Sequence, residues 1–238
     1  MPEININING VSKQVPAGTS VSELLKDQPE EVRKKALAAK FNGKEVDLSF
    51  PLNDSGNLNF ILPSSKEGLD IIRHSTSHLM AHAVTELFPD AQVGIGPVIE
   101  DGFYYDFKLE KPFTPEDLEK IEARMKEIVK RNYSVSRLEY PKNEALDYWR
   151  KQNEPMKVEL IEERGGDTVS FYKQDSFMDL CLGPHVPSTG RLGVFKLLHT
   201  AGAYWRGDEK KAMLQRIYGT AWTDEKDLQE YLHRIEEA

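Results

Sequence analysis

Ile4, Ile6 and Ile8 alternate with polar residues at the start of the chain, and alternation with a period of two predicts a half-buried strand. Asn9-Gly10 follows, a pair that tolerates the positive φ angles of a tight hairpin, so residues 11–15 are expected to return as a second strand. Ser20 and Glu23 have the spacing of a capping box, and Val21, Leu24 and Leu25 give the helix behind it one apolar side. A second turn is expected at Asn42-Gly43 and a last strand over residues 58–62. The period then changes. From 67 to 88, Leu69, Ile72, Leu79, Met80, Ala83, Leu87 and Phe88 recur at helical spacing until Pro89 stops the run. Thr114 and Pro115 open a helix over 114–131 whose buried stripe is Leu118, Ile121, Met125 and Ile128. Leu228, Tyr231, Leu232 and Ile235 mark a final helix over 224–237, and strands are expected around 102–107, 169–172 and 193–198.

Residues 1–62 therefore have a β-β-α-β-β order, which matches a small ubiquitin-like β-grasp unit. Its 7 basic and 8 acidic residues nearly cancel, and without a catalytic cluster it reads as a binding or docking module. Pro63-Ser64-Ser65-Lys66 is the expected linker, and 63–238 reads as a larger α+β domain. A length of 238 residues admits this two-domain division. At 39% hydrophobic and 29% charged residues the chain has enough apolar material for a packed core. No apolar run reaches the ~18 residues of a membrane helix, and the first residues lack a signal-peptide pattern, so no membrane partner and a cytoplasmic location are expected. The single cysteine, Cys181, rules out an internal disulfide and leaves a thiol or a ligand.

His74, His78 and His82 stand four apart on the expected helix, so consecutive imidazoles lie nearly above one another. Stacked histidines on a solvated face would give the same spacing. Far along the chain, Asp179-Leu180-Cys181-Leu182-Gly183-Pro184-His185 adds a carboxylate, the only thiol and an imidazole in a Gly-Pro loop. His74, His78, Cys181 and His185 together make an HxxxH plus CxxxH set. Three uses fit it: a tetrahedral zinc site, a cysteine nucleophile activated by histidine, or a metal-free hydrolytic site that positions water beside a cation. Lys157 is a candidate for that cation, although a lysine in such a segment is more often a solvated surface residue. Gly94-Ile95-Gly96-Pro97 contains a GxG, a weak phosphate-binding signal that also marks close-packed turns. The formal net charge of −8 argues against coating nucleic acid through net charge. Yet residues 189–222 hold six Lys and Arg against two Asp and Glu, a local balance of +4, with Tyr204, Trp205, Tyr218 and Trp222 interleaved. Cations for phosphates and rings for bases suit the single-stranded end of an RNA; a solvated edge around core aromatics fits as well.

The segments RHSTSHLMAHAV, GIGPVIEDGFYYDF, DLCLGPHVPSTG and HTAGAYWRGDEKKAMLQRIYGTAW resemble the bacterial-type threonyl-tRNA synthetase family, over essentially the whole chain. The resemblance implies a TGS domain over 1–62 and an editing domain over 63–238. It also implies that the family's class II catalytic core and anticodon-binding domain lie outside this fragment, together with their ATP, magnesium and structural zinc. The implied reaction is hydrolysis of seryl-tRNA(Thr), with mischarged serine and the tRNA(Thr) acceptor end as partners. By the same resemblance His74, His78, Lys157, Cys181 and His185 are catalytic or pocket-lining, and Asp179, Tyr104, Gly94 and Gly96 bind substrate. Tyr204, Trp205, Arg206, Lys210 and Arg216 are expected to contact tRNA. The family editing reaction needs no cofactor; zinc at His74, His78, Cys181 and His185 is the alternative, as in the alanyl relatives.

Overall fold

A computed structural model describes residues 1–238, which divide into two compact units: 1–72 with 183–187, and 73–182 with 188–238. In the first, β1 (Glu3–Ile8) and β2 (Val11–Pro16) form the expected hairpin. Asn9 and Gly10 turn it with φ of 51° and 82°. β3 (Thr19–Ser20) leads into α1 (Val21–Leu25), where Ser20 and Glu23 complete the capping box. A second short helix, α2 (Glu30–Lys35), carries no apolar stripe and was not expected. β4 (Ala38–Phe41) and β5 (Lys44–Asp47) turn at Asn42-Gly43, followed by β6 (Pro51–Leu52) and β7 (Gly56–Ile61). The main sheet runs β2-β1-β7-β4-β5, with β1 and β7 parallel and the other pairs antiparallel. Ile6, Val21, Leu24, Leu52 and Leu58 fill its core.

The second unit is built along α3 (Lys66–Leu87), of which it contains the part from Arg73. An amphipathic helix buries one stripe, but from Arg73 to Val84 only His74 is more than marginally accessible. Ser75, Ser77, Ala81 and Ala83 are small enough for close packing on several sides, so α3 is a central helix rather than a surface one. β8 (Gln92–Val93), β9 (Val98–Ile99) and β10 (Gly102–Lys108) follow. Then come α4 (Pro115–Arg131), capped by Thr114 and Asp117, β11 (Ser136–Pro141), α5 (Lys142–Lys151) and α6 (Pro155–Glu163). β12 (Thr168–Gln174), β13 (Phe177–Leu180), β14 (Phe195–Tyr204), β15 (Met213–Ala221) and α7 (Glu225–Glu237) complete the chain. One sheet has the order β14-β15-β10-β8, with β9 on β10, and another is β11-β12-β13. The whole is a mixed α/β structure with several sheets, in agreement with the α+β expectation. No helix is long and apolar enough to cross a membrane.

Candidate active site

α3 places His74 and His78 on one side, with ring centroids 5.2 Å apart and planes at 82°. Cys181 directly follows β13, held in place by its N–H donating to the Ser170 carbonyl at 3.2 Å. Its Sγ lies 3.4 Å from His74 Nε2. The ligating atoms of His74, His78 and Cys181 all fall within 4.8 Å of one another. Burial lowers the pKa of both histidines, with Asp179 opposing the shift, and His78 falls to about 3. Both imidazoles are therefore neutral at neutral pH, each with a ring lone pair able to accept a hydrogen bond or bind a metal ion. Neutral imidazoles and a thiol are the donor types zinc takes, so these three residues suit a metal ion as well as a metal-free site. The third histidine, His82, does not join them. It is fully buried, stacks on Phe177 at 5.6 Å, and has Nδ1 3.2 Å from Gln174 Nε2.

Behind the histidines lies a buried ion pair. Lys157, in the first turn of α6, reaches Asp179 on β13, and both are 2% exposed. Lys157 Nζ also donates to the Gly94 carbonyl at 2.7 Å and lies 3.5 Å from the Tyr105 hydroxyl. Asp179 is further engaged: Oδ1 accepts the Leu180 N–H at 2.8 Å, Oδ2 accepts the Tyr105 O–H, and His78 Nε2 stands 3.8 Å from Oδ2. Burial, and then the Asp179 charge, push the Tyr105 phenol well above its ordinary pKa, so it stays a donor. Glu154, one turn before Lys157, is pushed up to about 7, chiefly by burial. A lysine and an aspartate this deep persist only because they are paired and hydrogen-bonded.

Lys157 and Asp179 thus stand together beside the histidine–cysteine set, whereas other expectations are redirected. Tyr104 lies on the face of β10 opposite Tyr105, because strand residues alternate sides. It packs under Arg216, whose guanidinium is 3.8 Å from its ring centroid and forms two hydrogen bonds to Asp106. Tyr105 is the residue that reaches Asp179; its signal was the Phe103, Tyr105, Phe107 alternation, all fully buried. Gly94 and Gly96 prove to be close-packing positions. A Cβ on Gly96 would sit 2.0 Å from the Tyr105 ring, and one on Gly94 would sit 2.8 Å from the Asp106 carbonyl. Ser77, also overlooked, has Oγ 3.0 Å from the Gly96 carbonyl and so ties the turn to α3. Trp205 is buried at 3% exposure, with its indole N–H donating to Glu159 at 3.0 Å, which withdraws it as a stacking surface for a base. Arg206 is paired with Glu159 and Glu163, while Tyr204 and Lys210 are exposed. His185 falls in the segment grouped with the first unit, buried, with its backbone N–H donating to Asp47 Oδ1 at 3.0 Å.

Comparison with known proteins bears on this arrangement. Residues 169–218 match the family described as the threonyl and alanyl tRNA synthetase second additional domain. That span includes β12 from Val169 onward, β13, Asp179 and Cys181. The threonine-tRNA ligases of Geobacter sp. (strain M21) and Aromatoleum aromaticum are each 52% identical over 239 residues, covering all of this chain. That of Acetivibrio thermocellus is 49% identical over 97% of it. The chain spans only 36–38% of the length of these relatives. Among solved structures, the crystal structure of ATBAG1 in complex with HSP70 covers 68% of this chain and 92% of its own at 15% identity, but a TM-score of 0.23 carries no argument about the fold.

Proposed function

The chain carries the editing-region domain of the threonyl-tRNA synthetases, and from that premise we propose that it hydrolyses the ester of seryl-tRNA(Thr) while sparing threonyl-tRNA(Thr). A synthesis site built for threonine gains only about 1–3 kcal/mol from the one methyl that serine lacks, too little to exclude serine, so a second site has to remove the product. The observation that carries the reading is the buried Lys157–Asp179 pair beside two neutral imidazoles and a thiol. Such perturbed groups gather at functional sites. His74, the most accessible of them, takes a proton from water as the water oxygen bonds to the acyl carbon. The bond to the ribose oxygen then breaks, and the proton held by His74 passes to that oxygen, which restores the neutral imidazole. Lys157 supplies positive charge for the developing oxyanion, and Asp179 holds the α-ammonium of serine. His78, Cys181 and His185 line the pocket. An activated ester needs no covalent intermediate.

In this reading residues 1–62 form a TGS β-grasp domain and 63–238 the editing domain. Tyr204, Arg206, Lys210 and Arg216 face the acceptor end of tRNA(Thr). The ligase core of the parent polypeptide, with its ATP, magnesium and structural zinc, lies outside this chain. The experiment is deacylation of seryl-tRNA(Thr) by the chain and by His74→Ala and Lys157→Ala; unchanged rates in both variants would refute the assignment of the site. A second reading rests on the donor set. Zinc bound by His74, His78 and Cys181, with His185 as fourth donor, would make the chain a metal-stabilised RNA clamp without turnover. Stoichiometric zinc in the purified protein and unfolding on chelation would favour that reading; metal-free protein with full hydrolytic activity would exclude it.

A further inference from the structure

Asp179 and Lys157 are each given a partner in the proposed reaction, yet in this structure each is the partner of the other. Lys157 Nζ spends one N–H on the Gly94 carbonyl at 2.7 Å and another on Asp179 Oδ1. Oδ1 also accepts the Leu180 N–H, and Oδ2 accepts Tyr105. Those three donors leave little of the carboxylate open, and its single negative charge balances one ammonium group, not two. Adding a second would leave two cations against one anion in a site 2% exposed, and an uncompensated buried charge is strongly unfavourable. Exchange keeps one ammonium on the carboxylate before and after, and leaves the displaced Lys157 charge, still tethered to the Gly94 carbonyl, to be met by the oxyanion that develops on the ester.

We propose that the substrate's α-ammonium displaces the Lys157 ammonium from Asp179, and that this displacement is what turns Lys157 toward the ester. The inference rests on the esterase reading and defines its substrate class: acyl esters that carry a free α-ammonium. Lys157 keeps its Gly94 hydrogen bond as a pivot, and Asp179 keeps Tyr105 and the Leu180 N–H, so the rest of the cradle stays in place. The cation needed by the reaction is locked away until a group of the right charge arrives. The amino group then acts on the chemical step as well as on binding.

The test compares three esters of the same tRNA on the unaltered chain: seryl, glyceroyl with a hydroxyl in place of the amine, and N-acetylseryl. The first two are nearly the same size, so they separate charge from fit. Exchange requires kcat for the glyceroyl ester to fall about 100-fold, the scale of losing one preorganised charge from the reacting centre, with N-acetylseryl at least as slow. In Lys157→Met the seryl-to-glyceroyl ratio of kcat should collapse toward one. If the glyceroyl ester keeps its kcat and only KM rises, the ammonium is a plain anchor and the exchange is refuted, while the esterase reading stands. If the seryl ester itself is not hydrolysed, both are refuted.

Discussion

Lys157 with Asp179 and the group of Arg206, Lys211 and Glu159 are both sets of opposite charges beside aromatic rings, but the first pair is buried at 2–3% side-chain exposure and the second is 34–38% exposed. Trp205 donates to Glu159 much as Tyr105 donates to Asp179, so the parts are similar. Water makes the difference. Exposed ion pairs are screened and contribute roughly 0–1 kcal/mol. A buried pair must be matched in full, and removing one member leaves the other stranded. The proposed chemistry uses the buried set because charges held there in a low dielectric act strongly on a reacting group.

The comparison breaks most visibly at Asp179. In Asp179→Ala, Lys157 is left with the Gly94 carbonyl and the Tyr105 hydroxyl and loses its ion-pair partner, and stability should fall by about 3–5 kcal/mol with loss of seryl ester hydrolysis; denaturant melts and deacylation rates measure both. His74→Ala should lower hydrolysis by about 10²-fold with little change in melting temperature, since His74 is only half-buried. The buried histidines also set an acid limit. His78 has a folded pKa of about 3 against 6.5 unfolded, so the unfolded chain binds the extra proton between those values. The stability His78 confers is complete above pH 6.5 and is lost as pH falls toward 3, at up to about 1.4 kcal/mol per pH unit. Glu154 has the opposite sign. With its pKa raised from 4.5 to about 7, its contribution is present below pH 4.5 and lost as pH rises through 7, so Glu154→Gln should gain stability relative to the wild type at pH 8 compared with pH 5. Smallest of all, Arg206→Ala should cost under about 1 kcal/mol and leave the melting curve nearly unchanged.

Local chemistry explains what was readable from the chain. Asn9-Gly10, Asn42-Gly43, the Ser20–Glu23 box and the Thr114 cap act within a few residues, so their sequence signals survive intact in the fold. The histidine pair and Cys181 were legible because helical spacing and a lone thiol beside a Gly-Pro loop are unusual in a plain core. Lys157 was ambiguous, since its burial depends on Gly94, Tyr105 and Asp179 reaching it from 63, 52 and 22 residues away in the chain. The choice between Tyr104 and Tyr105 turned on strand parity, which adjacent identical residues hide. In the basic window over 189–222, Lys196, Arg206, Lys211 and Arg216 pair with Glu122, Glu159, Glu163 and Asp106, all outside the window, so the local balance counted along the chain overstates the positive charge left for a phosphate.

Single-turnover deacylation by the chain, with seryl-tRNA(Thr) and threonyl-tRNA(Thr) side by side, tests the central claim most directly. The account expects the seryl ester to be cleaved well above the uncatalysed rate and the threonyl ester to persist, with the difference abolished in Asp179→Asn. Seryl-tRNA as long-lived with the chain as without it, or cleavage of both esters at one rate, would contradict it.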